Sequence, residues 1–597
     1  MLKTPRQTPS RDSAKPPAPS AAAHTVSAPS VSLQTALVGG ISGSLLLWAA
    51  FPPLNLPLLA WVAPIPWLWL CLPPQKLGWR SYTALWLAGT IHWLLMVEGI
   101  RLAHPALYAG WIALSAYLGV YLPAFVGLTR VAIHRWRLPL FLAAPMVWIG
   151  LELARGHLIT GFSMGLLAHT QAEFPLLIQI ADLAGGYTLS FVIMLVAACL
   201  TTTAHRLASG GREPPEGLAG ESRSQTILNQ THRWRRSAFP LAIAGAAIAG
   251  TLAYGYWRLQ QAPSPTNQPQ LRAALIQGSL DTVFEVTPER VQQTFTHYRE
   301  LTARAIQEHP NLDLVVWPES MFVATEAVIE EPLTAPPESR LPLDELRRRL
   351  TLAQQDFHSL VAGEAARANA HTAEPHPGTR LLVGATTYAY GQRGVKVYNS
   401  ALLADREGQI AARYYKTHPV MFGEYIPFGE AIPFLYKITP MSGGLSIGDG
   451  PKVFEIAGLK LSPSICFEST VPHLIRGQLA SLRRRGTPAD VLVNVTNDGW
   501  FWGTSMLDLH FRCGVFRAVE NRKPLIVAAN TGIATHVAGS GVVVERGPKR
   551  QPTFLIATVH PDGRTSPYAL VGDWPAGLAA FACLALAVTG LRKNPVA

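Results

Sequence analysis

Cysteine and charge are both in short supply. Five cysteines in 597 residues, scattered at 71, 199, 466, 513 and 583, are too few and too far apart for a disulfide framework, although Cys466 and Cys513 remain free to pair with each other. No CxxC or HxxxH spacing surrounds either of those two, so no metal centre is expected. Charged residues make up only 15% of the chain against 49% hydrophobic, a balance that excludes a wholly disordered protein and points to a membrane. Acid is the scarcer sign, 38 residues against 50 basic ones, leaving a net charge of +12. That excess raises nucleic acid as a partner, and the placement of the basic residues argues against it.

Apolar runs long enough to cross the hydrocarbon layer as helices, about 17–24 residues, fall at 35–51, 57–73, 82–100, 106–129, 138–154, 187–205, 238–257 and 574–591. Basic residues crowd alternate connections: Lys3, Arg6, Arg11 and Lys15 before the first run, Lys76 and Arg80 after the second, Arg130, Arg135 and Arg137 after the fourth, and a further group after the sixth, including Arg206, Arg233, Arg235 and Arg236. Arg592 and Lys593 follow the eighth. The positive-inside bias then places both termini in the cytoplasm, and no nucleic-acid partner is needed to explain the charge. The soluble stretch between the seventh and eighth runs lies outside, in the periplasm of a two-membrane cell.

Four segments follow. Residues 1–31, rich in Pro, Ser and Ala, read as a disordered cytoplasmic tail. Residues 32–260 form a seven-helix membrane domain, with 206–237 as a flexible connection. Residues 261–568 form the soluble domain, and 569–597 a last membrane helix with a short cytoplasmic tail. Within the soluble domain, β-branched and apolar runs at 272–277, 313–317, 381–388, 398–403, 461–466, 491–495, 525–530 and 553–559 predict strands. Amphipathic patterns at 288–308, 342–370 and 507–522 predict helices, so the domain is α/β. Three strands run into reactive side chains, at Glu319, at Cys466 and at Asn497-Asp498, and the carboxyl ends of strands are where such folds do chemistry.

WPES at 317–320, YYKTHPVMFGEYIPFGE at 414–430, ICFES at 465–469 and NDGWF at 497–501, in that order, resemble the nitrilase superfamily. With seven apolar runs before the domain, one after it and ARGHLITGF at 154–162, the whole arrangement is similar to the apolipoprotein N-acyltransferase family. The resemblance implies a polytopic α-helical membrane domain joined to an αββα sandwich, and a Glu-Lys-Cys triad of Glu319, Lys416 and Cys466.

The chemistry suits those residues. A thiol attacks a carbonyl once a base takes its proton; a partly buried Glu319 is such a base, and the Lys416 ammonium stabilises the resulting oxyanion beside backbone donors such as the N–H after Cys466. Taken singly, each has an ordinary reading, as a core cysteine, a loop carboxylate and a solvated lysine. The resemblance further implies a second carboxylate at Glu424 that positions the lysine or the incoming amine, another functional one at Glu468, and a pocket shaped by Asn497, Asp498 and Trp500. Phe467 stands where members commonly have Tyr, and Phe284 where they have Trp. Phe422 and Phe428 are expected to form an apolar lid. Arg517 and Glu520, three apart on a helix, are expected to pair.

The implied reaction begins with attack by Cys466 on the sn-1 ester of a phospholipid such as phosphatidylethanolamine. The acyl chain then passes from the thioester to the amino group of an S-diacylglyceryl-cysteine in apolipoproteins, at the inner membrane, with no cofactor. A membrane-tethered amidase is the alternative enzyme. A transporter is disfavoured, because it calls for ionisable pairs within the spans and an internal repeat.

Overall fold

The computed structural model describes residues 31–209, 223–263, 269–282, 287–336, 339–370, 376–429, 431–432, 434–437 and 443–592. The expected N-terminal tail, but for Val31, lies outside them, as does Phe284.

Among the described residues, five segments are long and apolar enough to cross a membrane: Leu33–Ala50, Leu107–His134, Gly186–Ala208, Ala238–Gln260 and Trp574–Leu591. The first begins at Ser32, whose side chain accepts a bond from Thr35 N at 3.0 Å and caps the free amides. Two further expected runs are 18-residue helices, Trp79–Met96 and Leu140–His157, in which His92, Glu152 and Arg155 dilute the apolar sequence. The run at 57–73 departs most from expectation. It splits into a 3-10 turn, Pro57–Trp61, and a short helix, Ile65–Cys71, because Pro57, Pro64 and Pro66 remove amide donors and constrain the residues before them. Of the expected flexible connection at 206–237, residues 210–222 lie outside the described residues, and its two ends are helical instead: one helix extends to Ser209 and the next, Arg223–Gln260, begins inside it. Large apolar side chains stand exposed around this helical part, among them Leu58, Trp79, Phe581 and Leu584, the surface a lipid environment covers.

The soluble domain holds two sheets. Its strands are β1 Leu271–Gln277, β2 Leu314–Val316, β3 Thr325–Ile329, β4 Arg380–Gly391, β5 Gly394–Ala404, β6 Ile410–Tyr415, β7 Phe454–Ile456, β8 Leu459–Ile465, β9 Val491–Thr496, β10 Leu525–Ala529, β11 Thr535–Val537, β12 Val543–Arg546 and β13 Thr553–Val559. One sheet runs β13-β1-β2-β4-β5-β6, with β3 also paired to β4, and the other β12-β11-β10-β9-β8-β7. Alternate side chains of the two sheets meet in a dry core of Leu275, Val316, Leu382, Ile465, Val493 and Ile526. Helices Pro288–Glu308 and Leu343–Asn369 pack on the outer face of the first sheet through Tyr298, Leu301, Phe357 and Val361. Helices Pro472–Arg484 and Ser505–Asn521 cover the second. The layers are therefore αββα.

Helix Ser505–Asn521 is buried on every side, because its second face packs on the membrane helices: Phe511, Cys513 and Phe516 share a core with Leu167, Ala168 and Ile178. An ion cluster rivets the same seam. The buried Asp182 carboxylate accepts Arg258 Nε at 2.8 Å, Arg522 Nε at 2.9 Å and Tyr254 Oη at 2.6 Å. Asp182→Ala leaves two guanidinium groups without their counter-charge in a dry interface, and is expected to lower stability by about 3–5 kcal/mol. Asp449→Ala, which breaks the exposed pair with Lys452, should cost under about 0.5 kcal/mol. Thermal unfolding in detergent compares the two.

Candidate active site

The sheets bring three strand ends to one place. β2 runs into Trp317-Pro318-Glu319, and this backbone lies so close to β4 that a Cβ on Gly384 would stand 2.4 Å from Pro318 O. The buried Glu319 carboxylate accepts Asn399 Nδ2 at 2.6 Å and Asn497 N at 2.8 Å, with Lys416 Nζ at 3.4 Å. Lys416 follows β6, and its backbone N–H bonds to Asn399 O at 2.9 Å. Its side chain is only 1% exposed and reaches Glu424 Oε1 at 2.7 Å, while Glu424 Oε2 accepts Val420 N at 2.7 Å. Burial alone would lower the Lys416 pKa, but Glu424 and Glu319 overcome it and raise the value, so the ammonium stays charged.

Cys466 ends β8 and opens the 3-10 turn Cys466–Thr470. Its φ of +52° lies in the left-handed region that side chains rarely adopt, and Cys466 and Phe467 are partly exposed between buried Ile465 and Glu468. Burial of the thiol and the nearby Glu319 charge push its pKa well up, against the pull of Lys416. The resting group is thus a thiol that needs a base to attack.

Glu468 stands behind this turn and holds it. Its fully buried carboxylate accepts Ile465 N at 2.7 Å, Thr417 N at 2.7 Å, His418 N at 3.1 Å and Tyr414 Oη at 2.8 Å. The cysteine turn and the lysine segment are so tied to one residue. Phe467 lies parallel to His418, ring centroids 6.1 Å apart.

Asn497 contributes its backbone N–H to Glu319, and its Oδ1 accepts Thr282 Oγ1 at 3.1 Å and Asn530 Nδ2 at 2.9 Å. Asp498 is buried against His510, Oδ1 to Nδ1 at 3.0 Å. Trp500 is half-buried on the turn Asp498–Phe501, which lies against the turn Glu98–Leu102 of the helical part. Phe422 and Phe428 are 56% and 79% exposed at loop positions of φ +62° and +63°. Arg517 and Glu520 stand 2.7 Å apart; Arg517 Nη1 donates to Thr470 O at 3.4 Å, at the end of the cysteine turn, and Glu520 also accepts Gly186 N at 2.9 Å. All five cysteines are free, so Cys466 and Cys513 do not pair.

Two participants escape sequence reading. Asn399 bonds both Glu319 and Glu424, and its only signal is a polar residue inside the apolar run of β5. His510 sits in a helix with no local motif. A nucleophile, a carboxylate and a fixed cation, walled by buried polar groups, can perform acyl transfer through a covalent intermediate. Among the described residues no group of His, Cys, Asp or Glu is arranged to hold a metal.

Residues 43–199 match the apolipoprotein N-acyltransferase N-terminal domain, and residues 272–566 match the carbon-nitrogen hydrolase family. The chain is 31% identical to the apolipoprotein N-acyltransferase of Rhodopirellula baltica, with 91% of this chain and 94% of that protein covered. It is 30% identical to that of Geobacter metallireducens, with 92% and 93% covered. Among solved structures, an amidase from Nesterenkonia sp. aligns at 19% identity and a TM-score of 0.32, over 50% of this chain and 93% of the amidase.

Proposed function

The chain belongs to the apolipoprotein N-acyltransferase family, and from that premise we propose how this acyltransferase uses its residues. Cys466 is the nucleophile, Glu319 the general base and Lys416 the electrostatic stabiliser. The buried contact of Lys416 with both Glu319 and Glu424, beside the kinked Cys466, carries the reading.

In the first half-reaction Sγ bonds to the ester carbonyl carbon of a phospholipid while Glu319 takes the thiol proton. The carbonyl oxygen gains the negative charge, which Lys416 and the N–H of Phe467 stabilise. Collapse breaks the ester C–O bond, and the lysophospholipid alkoxide leaves with the proton from Glu319. In the second, the amine of a diacylglyceryl-cysteine bonds to the thioester carbon while Glu319 accepts a proton from nitrogen; collapse breaks the C–S bond, and Glu319 returns the proton to sulfur, restoring the thiol. Glu424 keeps Lys416 extended, and Asn497, Asp498 and Trp500 form the pocket wall next to the helical part. Phosphatidylethanolamine is the donor we favour. The basic connections argue for a multi-pass inner-membrane protein with cytoplasmic termini and the sheet domain outside, where lipid-anchored acceptors reside.

A thioester open to water would be hydrolysed between the two steps, and in this reading Phe422 and Phe428, both exposed, enter the bilayer surface and exclude it. With labelled phospholipid, acylated peptide should form from a diacylglyceryl-cysteine peptide far faster than free fatty acid. Phe422→Ser with Phe428→Ser should raise fatty-acid release without peptide severalfold and lower the acylated product. Free fatty acid released equally fast by the unaltered enzyme with and without peptide would favour a tethered hydrolase of the amidase kind.

A further inference from the structure

The carbonyl oxygen of Cys466 is the focus of an unusual set of donors. Ser469 Oγ lies 3.1 Å from it, His510 Nε2 3.2 Å and Asn494 Nδ2 3.3 Å. All three side chains are buried. His510 is held in turn: its Nδ1 is 3.0 Å from Asp498 Oδ1 and its Nε2 is 2.8 Å from Ser469 Oγ. The Asp498 carboxylate offsets the desolvation of the imidazole and shifts His510 towards its charged form, in which both ring nitrogens donate.

That carbonyl belongs to the peptide group whose N–H is on Phe467. Donors on the oxygen of an amide draw electrons away from its nitrogen and strengthen the N–H as a donor, the cooperativity seen along hydrogen-bond chains. The Phe467 N–H is also the first backbone donor after the nucleophile in the chain. We infer that His510, fixed by Asp498 and assisted by Ser469 and Asn494, is a positioning residue that polarises the Cys466–Phe467 peptide and so strengthens its grip on the oxyanion formed in each half-reaction. No bond to His510 is made or broken: the Sγ–C bond forms, the carbonyl π pair moves to oxygen, and the proton travels through Glu319. The same bonds fix the carbonyl of a residue in the left-handed region, so the polarising contacts also brace the kink.

The inference rests on Cys466 being the nucleophile, and the experiment keeps the two apart by timing two reactions of one thiol. Acylation by phospholipid passes through an oxyanion; alkylation by iodoacetamide displaces iodide at saturated carbon and does not. Both adducts are followed by intact-protein mass spectrometry in the full-length protein. His510→Ala should slow acylation by about tenfold or more, with the KM for donor unchanged and alkylation within about twofold. His510→Gln, whose amide nitrogen can reach the carbonyl, should recover most of the loss. Ser469→Ala should give a smaller effect of the same kind, and decides the matter if His510→Ala fails to fold. Acylation unchanged in these variants, or acylation and alkylation slowed in equal proportion, overturns the inference. Absence of a Cys466 acyl adduct in the unaltered protein instead overturns the proposed nucleophile.

Discussion

Cys466→Ser should yield a folded, membrane-inserted protein that forms no phospholipid-derived acyl-enzyme and has lost roughly a thousandfold or more of its transfer activity. Cys513→Ser should keep both. The two thiols make a fair comparison, because burial raises the pKa of each, that of Cys513 to about 12. What separates them is company. Cys513 is fully buried in the seam of the two domains, its Sγ 3.8 Å from His169 Nδ1, and the carboxylate whose charge it feels, Glu520, is already paired with Arg517. Cys466 is partly exposed at a kink and feels the charges of Glu319 and Lys416. Incubation with phospholipid followed by peptide mapping reads the site of any adduct. Acylation of the Cys466→Ser protein with undiminished turnover would remove the nucleophile from the scheme.

Lys416→Met should be costly in a second way. Its ammonium is the counter-charge of two buried carboxylates, Glu424 at 2.7 Å and Glu319 at 3.4 Å. Removing one partner of such a group leaves unpaired charge in a low-dielectric site, and about 3–5 kcal/mol of stability should go with it. Adding Glu424→Gln to Lys416→Met should restore much of the melting temperature while leaving acyl-enzyme formation abolished, because Glu319 no longer faces a second carboxylate with no cation between them, but the oxyanion has lost its cation. Thermal unfolding and adduct mass separate the two effects. A single Lys416→Met variant that melts like the parent would mean the ammonium is not the buried counter-charge described.

The parts of this architecture that were legible from sequence are those with strong local signals. The strand before Glu319 is a run of Leu and Val, the one before Cys466 alternates apolar with polar residues, and helices Pro288–Glu308 and Leu343–Asn369 lie almost where their periodicity puts them. Strands of three residues such as Phe454–Ile456 and Thr535–Val537 are too short for periodicity and exist only because a neighbour pairs with them. The second apolar run reads as a membrane span when hydropathy is averaged, yet its prolines dictate a broken path. Asn399, His510 and Asp182 were illegible for a shared reason. Each acts through residues tens to hundreds of positions away, as when Asp182 meets Arg522, and no window of sequence holds both ends.

Helix Ser505–Asn521, enclosed by a sheet on one side and membrane helices on the other, makes the two halves a single cooperative object. Cutting the sheet domain free would bare Phe511 and Phe516 to water and strand Arg522 without Asp182, so a secreted or cytosolic version of this domain cannot be had by truncation alone. The helix also narrows what evolution can try: a substitution on it must suit a protein core and a bilayer-embedded bundle at once.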